Sequence, residues 1–189
     1  MSREDSVTPA SPSRGRRLAG AAGLLLASLV VGAVLPSAAA AATPVAGAPC
    51  QTDRQAHVVV RSSDRRLSLC TDRREVKSFP VRLAWNGRGK RQAGDAMLPM
   101  GTYRLGMPRD SKKYGVFIPI GYPTPAQAAQ GYTGEAIGIH GPHRVVRWLG
   151  RYVNTFDTTS GCVGIATDRE MREIAAFIRR QHARSIAIL

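Results

Sequence analysis

Acidic residues are scarce in this chain. Its 189 residues include 13 Asp and Glu against 27 Lys and Arg, which leaves a formal net charge of +14. Such a charge favours polyanionic surroundings. The basic residues are scattered, however, and no RNP, helix-turn-helix or zinc-finger pattern accompanies them. We therefore predict no nucleic-acid partner.

The sequence also lacks internal repeats and a convincing set of metal ligands. His140 and His143 have the spacing of half a metal site, but no acidic residue or third histidine stands at metal spacing from them. His57 and His182 are remote in the sequence. We therefore predict neither a metal nor another cofactor.

The first 42 residues are typical of a secretory signal peptide. A basic region with Arg14, Arg16 and Arg17 precedes an apolar run at 18–35 and an Ala-rich exit at 38–42. An uncleaved membrane anchor is the alternative, and the Arg pair leaves both general and twin-arginine export open. We predict an exported, periplasmic or extracytoplasmic protein that meets the membrane only through this segment. The positive charge then suits an anionic cell wall, with plain solubility as the other explanation.

Cysteine is rare as well, with three residues at Cys50, Cys70 and Cys162. In an oxidising compartment an odd count indicates one disulfide and one free thiol, and the sequence alone allows three pairings. Cys50 and Cys70 have plain surroundings, whereas Cys162 lies in a Ser-Gly-Cys turn. We predict the Cys50–Cys70 bridge.

Residues 43–55 form a short lead-in, and residues 56–189 one domain. Runs of β-type residues between Gly- and Pro-rich loops predict seven strands. These are His57–Arg61, Arg66–Cys70, Val76–Leu83, Thr102–Leu105, Glu135–His140, Val163–Ala166 and Ser185–Leu189. A capping box from Thr167 to Glu170 and the apolar spacing behind it predict one helix near the C-terminus. The predicted fold class is mainly β with a minor α component.

One histidine and one cysteine carry the chemical signal. His140 closes one predicted strand, and Cys162 opens another 22 positions later. A thiol needs a base or a lowered pKa to attack a carbonyl near neutral pH, and an adjacent imidazole supplies the base. Gly161 permits a tight turn in which backbone N–H groups point at a developing oxyanion. These residues predict a cysteine nucleophile with a histidine general base.

The same stretch resembles the L,D-transpeptidase catalytic domain of the YkuD type, over roughly residues 57–189. That signature is a strand ending in His-Gly, a loop, and then Ser or Thr, any residue, Gly-Cys and an apolar residue. His140-Gly141 and Thr159–Val163 match it. Gly94–Leu105 is similar to a further family segment, with Leu-Pro where Thr-Pro is usual. The resemblance implies a β-sandwich-type domain with one capping helix.

A narrower resemblance is to the YafK-like branch, which includes murein-lipoprotein-releasing enzymes. That branch has Asp-Trp-Thr-x-Gly-Cys, a following helix that contains Met, and an upstream Tyr-Pro. Asp157–Cys162, Asp168–Met171 and Tyr122-Pro123 correspond to these features, although Thr158 replaces the Trp.

The resemblance also implies roles for individual residues. Cys162 attacks the peptide carbonyl of a stem that contains meso-diaminopimelate and forms an acyl-thioenzyme. His140 takes the thiol proton, and the backbone carbonyl of Gly141 orients its ring. Candidate substrate-binding residues are Thr159, Ser160, Tyr122 and Trp148. Trp148 and Tyr152, both in the loop after His140, either line the cleft or anchor that loop to the core.

One departure concerns the substrate contact. Many family members have Arg two residues after the cysteine, where it meets a substrate carboxylate, and this chain has Gly164. How the carboxylate is held is therefore open.

The predicted function is peptidoglycan transpeptidation, with stem peptides and the anionic wall as partners. An amine acceptor gives a cross-link, whereas water gives an L,D-carboxypeptidase or endopeptidase. A catalytically idle wall-binding module is a third possibility, and the intact pair of His140 and Cys162 argues against it.

Overall fold

The computed structural model describes Cys50 and residues 55–189. The predicted signal peptide, 1–42, and most of the lead-in, 43–55, lie outside the described residues. Within the described part, no helix has both the length and the apolar character needed to cross a membrane.

A single nine-stranded sheet organises the domain. Its strands are β1 His57–Arg61, β2 Arg66–Thr71, β3 Arg74–Arg82, β4 Gly101–Arg104, β5 Arg109–Ser111, β6 Gly115–Pro119, β7 Gly138–His140, β8 Val163–Ile165 and β9 Ser185–Ile188. The spatial order is β4-β9-β1-β2-β3-β8-β7-β6-β5. The described residues also form two α-helices and one 3₁₀ helix, and the predicted class, mainly β with minor α, is confirmed.

The long strand β3 joins the two halves of the sheet. Its first part pairs with β2 up to Pro80, whereas Val81 and Arg82 pair with β8. This change of partner brings Arg82 directly opposite Gly164. The end of β3 therefore lies beside the strand that follows Cys162.

The core covers one face of the sheet, and a smaller cluster covers part of the other. In β1, Val58 and Val60 belong to the main core, whereas Val59 packs with Cys50 and Cys70. Side chains alternate between the two faces of a strand, so a buried run of three indicates that both faces are covered here. Burying each Val contributes roughly 1.5–3 kcal/mol.

Helix α2, Asp168–Gln181, begins at its predicted cap. The hydroxyl of Thr167 accepts the backbone N–H of Glu170 at 3.2 Å. In the predicted capping box, the carboxylate of Glu170 would accept the backbone N–H of Thr167. In the structure this carboxylate instead accepts the Thr167 hydroxyl and pairs with Arg151. The apolar side of the helix is buried through Met171, Ile174, Ala175, Phe177 and Ile178.

Several elements differ from the sequence prediction. The hairpin of β5 and β6 is not among the predicted strands. Its two strands carry weak sequence signals, because β5 is polar and β6 is a five-residue run that ends on Pro119. Helix α1, Pro125–Ala129, lies in the Gly- and Pro-rich loop before β7. The predicted loop after His140, residues 141–160, contains a 3₁₀ helix, Arg147–Asn154, which is interrupted at Gly150.

Candidate active site

Two neighbouring parallel strands present His140 and Cys162 together. His140 ends β7, and Cys162 directly precedes β8. Because His140 lies opposite Gly164, and Cys162 is two residues before Gly164, both side chains project from the same face. They line one cleft of about 760 Å³.

The turn before Cys162 requires glycine. Gly161 has a φ of +121°, and a Cβ at this position would lie 2.9 Å from the carbonyl oxygen of Met97. The Thr159 hydroxyl donates to the carbonyl of Cys162 at 2.6 Å, and its backbone N–H donates to Leu83 at 3.1 Å. The turn that presents the thiol is therefore fixed from both sides.

The imidazole of His140 is held as a neutral base. Its Nδ1 lies 2.7 Å from the carbonyl oxygen of Gly141, which is the contact the resemblance implies. A carbonyl only accepts, so Nδ1 carries the proton and Nε2 keeps a free lone pair. Burial lowers the pKa of His140 to about 4, with smaller contributions in the same direction from Arg82 and Lys113.

Cys162 is a protonated thiol near neutral pH. Burial raises its pKa, and this outweighs a hydrogen bond with the backbone of Gly138 and the positive charges of Lys90, Lys113 and Arg82. The thiol donates to the carbonyl of Ala136 at 3.5 Å. The resting site therefore has a neutral thiol and a neutral imidazole, so any attack by this thiol would require proton transfer.

Cys162 is the only free cysteine. Cys50 and Cys70 form a disulfide with their Cα atoms 5.4 Å apart, which is the pairing favoured by the sequence. A thiol-directed reagent therefore has one target in the folded protein.

A second cavity meets the cleft at the thiol. It has a volume of about 390 Å³, and its lining includes Arg109 and Asp110. Cys162, Tyr114 and Lys113 line both cavities. The two cavities therefore adjoin at the Cys162 thiol.

Some predicted site residues lie at the cleft, whereas others do not. Thr159 and Ser160 line it with His140 and Cys162. Tyr122 is buried in the core instead, where its hydroxyl donates to the carbonyl of Lys90 at 3.1 Å. The buried ring does not line the cleft, so its assignment to substrate binding stays a prediction without support from the cleft geometry.

The two aromatic residues of the loop 141–160 have different positions. Trp148 is 79% exposed, does not line the cleft, and donates its indole N–H to the carbonyl of Val145. Its assignment to substrate binding stays a prediction. Tyr152 is 81% exposed and lines the cleft. Neither residue anchors the loop to the core.

Several cleft residues have no counterpart in the sequence interpretation, and Arg82, Lys113 and Tyr114 are the ones closest to the chemistry of His140 and Cys162. Arg82 stands in the apolar run from Val81 to Ala84, and a charged residue in such a run is a signal that could have been used. Tyr114 stacks on His140, with ring centroids 3.9 Å apart, and no local pattern predicts this contact.

No three His, Cys, Asp or Glu side chains in the described part of the chain converge as metal ligands. His143 accepts the backbone N–H of Val145 through Nδ1 at 3.3 Å. Its ring also meets Tyr114 edge-on. His143 thus lines the cleft together with His140.

Known proteins support this fold and family. The family model for the YkuD L,D-transpeptidase catalytic domain matches residues 55–184. A search of curated proteins finds no match.

Solved structures match at low identity. The helical cell shape determining protein Pgp2 from Campylobacter jejuni has 20% identity and a TM-score of 0.58, over 72% of this chain and 48% of that one. Bd1075 from Bdellovibrio bacteriovorus has 19% identity and a TM-score of 0.53, over 71% and 48%. The chain spans about half the length of these proteins. At such identity the likeness shows the fold alone, and the YafK-like branch stays a prediction.

The family match covers well over half of the chain and includes both strands that present His140 and Cys162. The chain belongs to the YkuD family of L,D-transpeptidase catalytic domains.

Proposed function

We propose that this protein is an exported cysteine L,D-transpeptidase that acts on peptidoglycan stem peptides. The observation that carries the proposal is the pair of His140 and Cys162 in one cleft, with Nδ1 of His140 bound to the carbonyl of Gly141. This bond leaves Nε2 as the acceptor for the thiol proton.

In the first half-reaction, Sγ of Cys162 adds to the peptide carbonyl while Nε2 of His140 accepts the thiol proton. The N–H groups of Gly161 and Cys162 are the proposed donors to the oxyanion, since the turn at Gly161 orients these peptides. Collapse of the tetrahedral species breaks the C–N bond. The amine leaves with the proton from His140, and a thioester remains on Cys162.

In the second half-reaction, an acceptor amine attacks the thioester, His140 takes its proton, and the thiol is regenerated. Transfer to an amine needs two peptide sites, whereas hydrolysis needs one site and water. Cys162 lines two adjoining cavities, and space for a second peptide favours transfer. L,D-carboxypeptidase or endopeptidase activity is the second candidate, because both reactions share the acyl-enzyme.

Location outside the cytoplasm is part of the proposal. The N-terminal 42 residues have the signal-peptide pattern, and peptidoglycan lies beyond the membrane. The basic charge of the chain suits an anionic wall. The Cys50–Cys70 disulfide suits an oxidising compartment.

The test is incubation of the full chain with purified sacculi, followed by digestion and mass spectrometry. A transpeptidase gives new cross-linked dimers and exchanges a supplied D-amino acid into the stems, whereas a hydrolase gives only shortened stems. Cys162→Ala should abolish either product and also remove the acyl-enzyme mass. Normal turnover by Cys162→Ala would contradict the proposed mechanism.

His182→Asn is a matched control for His140→Gln, because His182 is an exposed histidine at the end of α2 with a left-handed backbone that Asn accepts. We expect His140→Gln to lose activity and His182→Asn to keep it. The idle-module alternative predicts that wild type binds sacculi, yields neither product, and resists thiol reagents near neutral pH.

A further inference from the structure

Arg82 occupies space that a side chain at position 164 would need. Arg82 and Gly164 are direct partners across β3 and β8. A Cβ on Gly164 would lie 2.5 Å from Cγ and 2.7 Å from Nε of Arg82. The guanidinium therefore crosses the strand that leads away from Cys162, and Gly164 is what allows it to do so.

The guanidinium of Arg82 has no partner in the described protein. The residue is 5% exposed, and Nη1 is buried without a hydrogen bond. Glu135 also lines the cleft, but none of the six ion pairs found in the structure joins it, or any other carboxylate, to Arg82.

A buried charge without a partner is costly, because the lost hydration is not replaced. Burial accordingly lowers the pKa of Arg82, although the guanidinium remains charged at neutral pH. Pairing with an anion would recover this cost. Arg82 lines the cleft with Cys162 and His140, so an anion held there lies beside the reacting carbonyl.

We propose that Arg82 binds a carboxylate of the stem peptide and so positions the scissile bond at Cys162. A guanidinium forms two parallel hydrogen bonds to a carboxylate, which fixes direction as well as distance. This inference rests on the proposed function and names the substrate group held. The carboxylate belongs either to the C-terminal residue of the stem or to the diaminopimelate side chain.

The experiment measures binding, so it does not depend on turnover. In a Cys162→Ala background, calorimetry gives Kd for three stem tetrapeptides: one with both carboxylates free, one amidated at the C-terminus, and one amidated on diaminopimelate. With Arg82 intact, we expect amidation of one carboxylate to weaken binding by at least about 30-fold. The amidated position identifies the group that Arg82 holds.

Adding Arg82→Gln should weaken binding of the free peptide by a similar factor. For the amidated peptide that binds weakly to the protein with Arg82 intact, Arg82→Gln should change Kd by less than about threefold, because that peptide already lacks the contact between Arg82 and the carboxylate. If the Arg82→Gln variant still prefers the free carboxylate by the same factor, the inference about Arg82 is overturned and the proposed function is unaffected. Failure of all three peptides to bind the Cys162→Ala protein would overturn the proposed function together with it.

Two further measurements separate a binding role from a structural one. Arg82→Met keeps most of the volume and removes the unpaired charge, so its melting temperature should equal or exceed that of wild type. A large fall would make Arg82 a structural residue and overturn the inference. Gly164→Ala leaves Arg82 present but displaces it, and should lose the same carboxylate preference. Retention of that preference would contradict the proposed placement.

Discussion

The ring of Tyr114 stacks on the imidazole of His140, with centroids 3.9 Å apart and planes inclined by 27°. This contact covers the face of an imidazole whose Nδ1 is already bound to Gly141. Burial is the main reason for the low pKa of His140, and the ring of Tyr114 is one of the groups that cover the imidazole. The stack therefore links a residue outside the sequence motif to the protonation state that the chemistry needs.

The low pKa of His140 predicts a loss of stability in acid. The imidazole of the unfolded chain titrates near 6.5, whereas that of the folded chain titrates at about 4. The unfolded state therefore binds more protons in this window, and the free energy of unfolding falls as the pH drops from about 6.5 to 4. The shift corresponds to roughly 3 kcal/mol.

Urea unfolding at pH 7 and at pH 4.5 tests this prediction. His140→Gln lacks the titrating group, so its unfolding free energy should fall less than that of wild type over the same interval. His182→Asn, the exposed histidine control, should follow wild type. Parallel pH curves for wild type and His140→Gln would show that His140 does not carry the effect.

The stack itself makes a second prediction. Tyr114→Leu removes the aromatic cover and admits water to the imidazole, so the pKa of His140 should rise towards its ordinary value. Tyr114→Phe keeps the ring and should leave the pKa low. NMR titration of labelled histidine gives both values. Equal pKa values in the Leu and Phe variants would show that the ring of Tyr114 does not keep water from His140.

A buried ion pair supports the loop 90–97, which packs against the turn at Gly161. Nζ of Lys90 lies 2.7 Å from Asp95, and the Lys90 side chain is 2% exposed. Burial alone would raise the pKa of Asp95, but the Lys90 bond and backbone N–H groups of Gln92, Arg91 and Met97 together lower it.

Asp95→Asn should reduce the free energy of unfolding by about 3–5 kcal/mol, because it leaves a buried ammonium without its charge partner. Asp72→Asn is the matched control, since Asp72 is exposed and has a left-handed backbone that Asn accepts. Urea denaturation compares the two variants. Similar small losses in both would show that Lys90 and Asp95 contribute no more than a surface pair.

The disulfide should also contribute to stability. Cys50 and Cys70 are 20 residues apart in the sequence. By restricting the unfolded chain, a bridge over this loop should raise the free energy of unfolding by about 3 kcal/mol. The double variant with Cys50→Ser and Cys70→Ser should melt well below wild type, whereas Cys162→Ser should not. Scanning calorimetry gives the comparison, and an unchanged melting temperature in the double variant would contradict the prediction.

Local sequence signals predicted the elements that carry strong periodicity or caps. The β-type run of β1 and the Thr167 cap of α2 are both found in the structure. The hairpin of β5 and β6 was missed because a three-residue polar strand is stabilised by its neighbours rather than by its own pattern.

The candidate site was predictable where it depends on a local motif. His140, Gly161 and Cys162 stand in such motifs, whereas Arg82 and Tyr114 reach the cleft only through sheet register and packing. The sequence shows that Gly164 stands where many family members have Arg. Only the pairing of Gly164 with Arg82 in the sheet shows which side chain fills that space. Contacts between residues far apart in the sequence produce no local sequence pattern, so the positions of Arg82 and Tyr114 in the cleft could not be predicted.

The loop 141–160 offers a direct comparison of two exposed aromatic residues. Tyr152 lines the cleft, whereas Trp148 lies outside it with its indole bound to the loop backbone. If stem peptides bind in this cleft, Tyr152→Ala should raise KM several-fold with little change in kcat, because it removes contact area from substrate and transition state alike. Trp148→Ala removes a larger ring from the same loop and should leave KM unchanged. A rise in KM for Trp148→Ala alone would mean that the substrate runs along the outer side of the loop. Equal effects in both variants would point to a general disturbance of the loop instead.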